Sequence, residues 1–468
     1  MIKKIIKFLI YLIIILTLII SYLTIFGIST SKFNEKIKNE ILGINKKINV
    51  NLKEVYILLD LLNLSVNIKT IGPEIIVENN SIKLESIKTQ ISLKSFISNK
   101  FSINNLQTST KAIKINDLIS LARSFKNSTE LFLLDRVIKD GFLIADIKVN
   151  FDENGKIKND YEVIGFIKNA KINTFKKFDI KNLNLLFEIK KDQYLFKEVE
   201  AKVDKLKLLA PLIKIQNIKN KFAINGKIVT DKKDININVL NDLFSPTYKN
   251  LEIENISFSS ENEFSLEVTN KLKINNLKLK SLIDLDSLKY ENNFLAIKEY
   301  VPNLKEFVEL ENHKISVDYN KDQLNIKGKG QITINNKSDN LDYKIVKKNN
   351  QYYFDSNINI NSNSLIIDAL QYEKKENSNS LLSLKGIYKK KKEVEFEHIS
   401  LKENKKILLL KNLKLDKDLK IKNIDLLKLN YINKNKFLNQ IDLKKVSKNY
   451  ELQGKSFDFV KLIDQILD

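Results

Sequence analysis

The residue types that build most catalytic and metal sites are scarce in this chain. Its 468 residues include two histidines, His313 and His398, and no cysteine. Without cysteine the chain cannot form thiolate zinc sites, iron–sulfur clusters, disulfides or a cysteine nucleophile. Neither histidine lies in an H-x-x-x-H or H-E-x-x-H spacing, and the sequence contains neither G-x-S-x-G nor G-x-x-x-x-G-K-[ST]. The sequence therefore predicts no catalytic residue, no cofactor and no metal site, and a protein that is not an enzyme.

The positive charge of the chain comes almost entirely from lysine. The formal net charge is +22, and of the 79 basic residues only Arg123 and Arg136 are arginines. Nucleic-acid readers favour arginine for bidentate contacts to phosphate and guanine, and here the lysines are spread along the whole chain. We therefore expect no nucleic-acid partner. The lysines are interpreted as solvated strand faces in a chain rich in Lys, Ile and Asn, with attraction to anionic lipid headgroups as the alternative.

An apolar segment near the N-terminus predicts a transmembrane helix. It runs from Ile5 through Leu16 to Ile28 with one charge, Lys7, near its start. At 1.5 Å per residue it is about 36 Å long, enough to cross a hydrocarbon core of about 30 Å. Lys3 and Lys4 precede it, so the positive-inside rule places the N-terminus in the cytoplasm.

A cleaved signal peptide is the alternative to an uncleaved anchor. Its apolar core would span about 7–15 residues before a small-residue cleavage site, whereas this core is longer and Gly27-Ile28-Ser29 fits such a site poorly. An uncleaved anchor is favoured. No second run of comparable length follows Ser31, so we expect residues 32–468 to lie on the exported side, as the periplasmic body of a single-pass inner-membrane protein.

The remainder of the chain alternates apolar and polar residues with a period of two, which predicts strands with one apolar face. Strands of a parallel α/β sheet would instead be continuous apolar runs. The predicted apolar faces are Ile48/Val50/Leu52, Val66/Ile68/Thr70, Ile87/Thr89/Ile91/Leu93, Leu143 to Phe151, Phe222 to Ile228, Ile235/Ile237/Val239, Leu324 to Ile334 and Tyr352 to Ile360.

Turn and cap residues complete the prediction of a mainly β fold. Asn154-Gly155 between two alternating runs is typical of a hairpin turn. Short helices are predicted at residues 31–43, 118–125 after Asp117, 129–139, 294–309 and 457–467. The expected organisation is a cytoplasmic tip and anchor (1–30), a membrane-proximal segment of strands and short helices (31–140) and an elongated repetitive β body (141–468).

The apolar strand faces can be covered in two ways. Two sheets can pack face to face as a β-sandwich, which would make the protein an envelope scaffold or interaction module. Alternatively, one elongated sheet can curl into a groove whose apolar face is covered by lipid acyl chains, since an open apolar trough is an aggregation hazard in water. The alternation alone does not choose between them.

The order of features resembles the AsmA-like family, which includes the AsmA and TamB groups and is related to bridge-like lipid-transfer proteins. The resemblance rests on the single anchor and on six segments, without a highly specific motif. The segments are 48–56 (INVNLKEVY), 68–75 (IKTIGPEI), 81–96 (SIKLESIKTQISLKSF), 113–125 (IKINDLISLARSF), 141–172 (containing YEVIGFIKNAKI) and 450–463 (YELQGKSFDFVKLI). The chain ends where larger members of that family continue.

This resemblance implies an inner-membrane anchor, a periplasmic groove that binds phospholipid, and a role in phospholipid transfer or outer-membrane homeostasis with possible envelope protein partners. It implies no catalytic residues. The candidate groove-lining residues are the alternating apolar positions, for each of which core packing is an equally good explanation: Ile48, Val50, Val66, Ile68, Ile87, Ile91, Leu93, Ile147, Val149, Ile224, Ile228, Ile326, Ile332, Phe354 and Ile358.

Overall fold

The structure is a computed structural model of the full chain, and its contacts divide the chain into two compact units, Met1–Ile224 (unit 1) and Asn225–Asp468 (unit 2). The predicted division at residues 30 and 140 stays a prediction. The residues that the structure describes are 2–44, 48–77, 80–94, 103–125, 129–152, 158, 160–173, 179–203, 206–219, 221–235, 253–269, 271, 273–291, 307–321, 323–334, 337–390, 392–417 and 419–460.

Within the described residues, unit 1 contains the α-helices α1 (Ile2–Ile25), α2 (Asn34–Ile44), α3 (Ile115–Phe125) and α4 (Thr129–Val137). Helix α1 is long and apolar enough to cross a membrane, with a mean hydropathy of 2.7 over Lys3–Ile25. It ends before Ile28, the predicted end of the span, because Gly27 adopts a left-handed φ of 65° and breaks the helix. Ile28 instead begins a strand.

The other helix predictions have mixed outcomes. Helices at 31–43 and 118–125 are confirmed as α2 and α3. Helix α4 is shorter than predicted, because Ile138 already pairs with Ile172 in the sheet. Some predictions fall on residues that the structure does not describe. These are residues 292–306 and 461–468, the turn Asn154-Gly155, and the pair Ile237 and Val239. The helix predicted to end at Glu309 is wrong in its last part, since Phe307–Asn320 is a strand.

The strands of unit 1 form an antiparallel sheet. They pair in the order β1–β3–β4–β6–β7–β9–β10–β11–β12–β13, while β2 and β5 add a branch on β6, and β8 pairs with β9. The bounds are β1 Ile28–Thr30, β2 Ile48–Asn51, β3 Glu54–Asp60, β4 Ser65–Ile71, β5 Glu74–Val77, β6 Asn80–Ser92, β7 Ile103–Thr110, β8 Ile113–Lys114, β9 Ile138–Asn150, β10 Glu162–Asn173, β11 Asp179–Lys190, β12 Gln193–Val203 and β13 Leu206–Ile218; β14, Lys221–Ile235, includes the boundary between the units.

The strands of unit 2 pair antiparallel in chain order, from β15 to β20 and on through β23, β24, β25, β27, β28 and β29. Strand β26 pairs with β25, and β21 and β22 form a separate hairpin joined by a short 3₁₀ helix, Asp368–Leu370. The bounds are β15 Ile253–Thr269, β16 Ile274–Glu291, β17 Phe307–Asn320, β18 Gln323–Thr333, β19 Ser338–Lys348, β20 Gln351–Asn359, β21 Leu365–Ile367, β22 Tyr372–Lys374, β23 Ser380–Lys389, β24 Glu393–Glu403, β25 Lys406–Asp416, β26 Ile421–Asn423, β27 Leu426–Ile432, β28 Leu438–Val446 and β29 Asn449–Ser456.

The predicted fold class is confirmed: the chain is mainly β, with antiparallel sheet, one long apolar N-terminal helix and a few short helices. Alternation of apolar and polar residues produces this result because successive side chains of a strand point to opposite faces. A segment such as Gln323–Thr333 can bury its apolar face only as part of a sheet.

Candidate functional site

The strand register of unit 1 brings the predicted lining residues onto one face. Val66 lies opposite Ile91, and Thr70 lies opposite Ile87. Cross-strand partners in an antiparallel pair project to the same side of the sheet. Ile68 is on this side as well, since it alternates with Val66 in β4.

The same face continues across the later strands of unit 1. Thr108 of β7 lies opposite both Ile87 and Ile147, and Leu106 lies opposite Val149. From Ile147 the row passes through Val163, Ile189, Tyr194 and Ile215 in β10 to β13. We call the side that carries these residues the unit 1 apolar face.

Unit 2 has an apolar face of its own, built from two parallel rows. One row crosses seven strands and the other crosses eight, and each member is the direct partner of the next. The first consists of Val317, Ile326, Ile345, Phe354, Gly386, Phe396 and Leu413, and the second of Leu341, Ile358, Leu382, Leu401, Leu408, Leu429, Ile441 and Gly454. We call this side the unit 2 apolar face.

The remaining predicted lining residues lie outside these rows. Ile48 pairs with Val77, and Val50 with Ile75 in the β2–β5 branch. Leu93 follows β6 and its backbone N–H donates to the Leu64 carbonyl at 2.8 Å. Ile332 packs with Leu341 and Ile358, and Ile224 and Ile228 lie partly buried in β14.

Parts of both apolar faces are covered by the protein itself. Helix α3 packs Ile115 and Ile119 on Ala170 of unit 1. The β21–β22 hairpin packs Tyr372 on Leu401, Leu408, Leu429, Tyr431 and Ile441 of unit 2. The exposed fraction is 5% for Val50, 4% for Ile91 and 9% for Ile358, whereas most of the other predicted lining residues are only partly buried.

Glycines on the apolar faces lie beneath aromatic rings. A Cβ at Gly328 would meet the ring of Tyr343 at 2.2 Å, and one at Gly165 would meet the Phe187 ring at 2.7 Å. Each pair consists of direct cross-strand partners. The missing side chain lets the ring lie flat against the neighbouring strand, so the apolar surface stays continuous at these positions.

The opposite side of the unit 2 sheet is charged. Lys327, Lys344, Asp355 and Lys385 form one row across β18, β19, β20 and β23. An open cavity of about 900 Å³ lies against this side, with Lys314, Lys327, Lys344, Asp342 and Asp355 among its lining residues. This cavity therefore lies on the charged side of the sheet, where the lysine-rich alternation predicted a solvated face.

One histidine lies on the unit 2 apolar face, which sequence reasoning did not identify. His313 is fully buried, is the partner of Leu285, and its Nε2 lies 2.8 Å from the Gln331 carbonyl. Burial lowers the pKa of His313, although the hydrogen bond to Gln331 opposes this effect. Alternation with Ile315 and Val317 is the sequence signal that would have placed it there.

The two histidines do not form a shared site. His398 lies in β24 opposite Lys385 and Lys411, among charged residues. Within the part of the chain that the structure describes, no group of three or more His, Cys, Asp or Glu side chains could hold a metal ion. The candidate site is therefore the pair of apolar faces.

No protein-family model and no curated protein matches this chain. The resemblance to the AsmA-like family stays a prediction.

Proposed function

We propose that this protein is a single-pass membrane protein whose apolar sheet faces bind phospholipid acyl chains, and that it takes part in lipid transfer and outer-membrane homeostasis. The observation that carries the proposal is the row from Val317 to Leu413 in unit 2, in which apolar side chains or glycine succeed one another across seven strands. An acyl chain lying along this row would contact apolar atoms at every strand.

Partial exposure of this row supports a ligand rather than a sealed core. Ile326, Ile345 and Phe354 are partly buried, so part of their surface stays in contact with solvent. Covering apolar surface is worth about 25 cal/mol per Å², and an acyl chain provides cover without polar groups that need hydrogen bonds. The headgroup would stay in water beside the lysine-rich strand edges.

A membrane-anchored scaffold without lipid is the second candidate. It is favoured by the places where α3 and the β21–β22 hairpin already cover the apolar faces with protein side chains. The strands β15–β20, β23–β25 and β27–β29 nevertheless pair in one series, so within the described residues of unit 2 they do not form the two sheets of a sandwich.

The anchor supports a location in an inner membrane with the body in the periplasm. The side chains of α1 are exposed from Lys3 to Ile19, as expected for a helix surrounded by lipid. Lys3, Lys4 and Lys7 at its start favour a cytoplasmic N-terminus. Envelope proteins that deliver or receive lipid would be partners of the periplasmic body.

Photocrosslinking from neighbouring residues tests the proposal, because adjacent positions of one strand face opposite sides. A photoreactive amino acid at Ile345 faces the unit 2 apolar face, whereas one at Lys344 faces the charged side. We expect phospholipid adducts, detected by mass spectrometry, from Ile345 and none from Lys344. Adducts from both positions equally, or from neither, would contradict acyl-chain binding.

A substitution pair tests the same site by lipid content. Ile345→Asp places a carboxylate in the middle of the row and should reduce the phospholipid that co-purifies in mild detergent, whereas Lys344→Asp should not. Circular dichroism and a melting curve verify that both variants fold. Equal lipid content in folded Ile345→Asp would favour the scaffold.

A further inference from the structure

The turn between β3 and β4 presents three leucines to the surroundings. The exposed fraction is 44% for Leu61, 97% for Leu62 and 51% for Leu64. A turn in water is usually built from Gly, Asn, Asp, Ser or Pro. Apolar surface concentrated at a turn tip points to a hydrophobic environment around it.

The register directs this turn back toward α1. Strand β1 begins directly after Gly27 and pairs antiparallel with β3, with Ile28 opposite Ile57 and Thr30 opposite Val55. The chain leaves α1 along β1, so β3 returns in the opposite direction and ends at Asp60 on the side of the helix. The Tyr56 hydroxyl donates to the Phe26 carbonyl at this junction.

The surface of α1 marks where the hairpin lies. Every described side chain of α1 from Lys3 to Ile19 is exposed, but Ile20, Leu23 and Thr24 are partly buried. These positions are spaced i, i+3 and i+4 and so form one face of the helix. Helix α1 packs against β3, so the returning strand runs beside the last two turns of the helix.

Several polar groups of the turn have hydrogen-bond partners in the protein. The Asp60 carboxylate accepts from the backbone N–H and the side-chain amide of Asn63, at 3.1 and 2.9 Å. The Leu64 N–H donates to the Leu61 carbonyl at 3.3 Å, and the Leu64 carbonyl accepts from Leu93. Because these groups have partners in the protein, moving the turn out of water costs less free energy than moving a turn whose polar groups depend on solvent.

The backbone of the turn does not explain its leucines. Leu64 has a φ of 45°, in the left-handed region that Gly or Asn adopts with less strain. A leucine here is unfavourable for turn geometry and unfavourable in water, so the side chain is best accounted for by an apolar contact.

We propose that the tip Leu61–Leu64 is a second membrane contact, inserted into the leaflet that holds the C-terminal end of α1. The inference rests on the membrane anchor of the proposed function. It also locates the row Leu59, Val66 and Ile91 of the unit 1 apolar face next to the bilayer, because this row is the nearest to the tip. Acyl chains would reach the face at that edge.

Because the chain contains no cysteine, single-cysteine variants of the full-length protein test this placement directly. Leu62→Cys, Ile14→Cys in α1 and Lys191→Cys in the exposed β11–β12 turn would each be labelled with the environment-sensitive fluorophore NBD. The proteins would be reconstituted in vesicles of phosphatidylcholine and phosphatidylglycerol that carry nitroxide lipids of shallow or deep position.

We expect the label at Leu62→Cys to emit at shorter wavelength than at Lys191→Cys and to be quenched most by shallow nitroxide. The label at Ile14→Cys should be quenched most by deep nitroxide. If Leu62→Cys behaves like Lys191→Cys while Ile14→Cys is quenched, the second contact is wrong and the anchor stands. A short-wavelength emission without lipid quenching would show a protein contact and also overturn the proposal. If Ile14→Cys is not quenched, the anchor and the second contact both fail.

Discussion

At the scale of single residues, His313 is the titratable side chain on the unit 2 apolar face with the clearest consequence. Its Nε2 lies within hydrogen-bond distance of the Gln331 carbonyl, and its Nδ1 has no hydrogen-bond partner among the described residues. Its ring lies against Gly330, where a Cβ would approach it to 2.4 Å, and 5.8 Å from the ring of Tyr343. A proton added at Nδ1 would be a buried donor without an acceptor, so this site requires the neutral ring.

We expect unit 2 to lose stability as the pH falls below the ordinary histidine pKa of about 6.5. The unfolded chain takes up a proton there, whereas the lowered pKa of buried His313 keeps the folded chain from doing so. Falling pH therefore stabilises the unfolded state relative to the folded state. Urea unfolding at a series of pH values measures the effect.

His313→Gln provides the critical comparison, because the glutamine amide can still donate to the Gln331 carbonyl but does not titrate. The variant should show a weaker dependence of stability on pH than the wild type in this range. Equal slopes in wild type and His313→Gln would contradict the assignment.

At the scale of elements, two buried charges hold the β21–β22 hairpin on the sheet. The Asp339 carboxylate accepts from the backbone N–H groups of Asn361, Ser362 and Asn363 at 2.9, 2.8 and 3.3 Å. The Lys374 ammonium donates to the carbonyls of Asn363 at 2.6 Å, Lys375 at 2.9 Å and Asn361 at 3.3 Å. Both residues are buried, so the loop is fixed from both sides by charge-assisted hydrogen bonds.

Asp339→Ala should loosen the hairpin, because three backbone N–H groups then lose their acceptor. Breaking a buried charged network costs about 2–5 kcal/mol. We expect a lower free energy of unfolding in urea. Relative to the wild type, hydrogen exchange should become faster in Leu365–Lys374 and should change less in Leu426–Ile432.

Asp342→Ala is the matched control in the same strand. The Asp342 side chain is 50% exposed, and its carboxylate lies 3.8 Å from the Lys329 ammonium. Because an exposed ion pair contributes little, this substitution should change the free energy of unfolding by no more than about 1 kcal/mol. Unchanged exchange in Asp339→Ala would show that the Asp339 carboxylate is not needed to hold the hairpin.

At the scale of the whole molecule, the proposed anchor and the proposed exported body predict a definite topology. In membrane vesicles of known orientation, an impermeant maleimide should label Lys191→Cys and Lys434→Cys from the exported side. It should label Lys4→Cys only after detergent, since the proposed orientation places the basic start of α1 on the cytoplasmic side. Labelling of Lys4→Cys from the exported side would reverse the orientation, and release of the protein by alkaline carbonate would contradict a spanning helix.

Much of this architecture could be predicted from local pattern. The run from Ile5 to Ile28 predicted a long apolar helix, and alternation in segments such as Tyr352 to Ile360 predicted strands and their apolar sides. These properties are determined by neighbours along the chain, because helix formation depends on a few turns and the strand period is two. The sequence by itself therefore determined the fold class and some members of the apolar faces, such as Ile326, Phe354 and Ile358.

The tertiary structure decided how those members are combined. In β6 the apolar residues change phase between Leu84 and Ile87, and a register shift at this point keeps both on one side of the sheet. The covering of the faces by α3 and by Tyr372, and the direction of Leu62 toward α1, arise from segments far apart in the sequence. Such contacts depend on which strands pair and in which register, and a local period carries no information about distant partners.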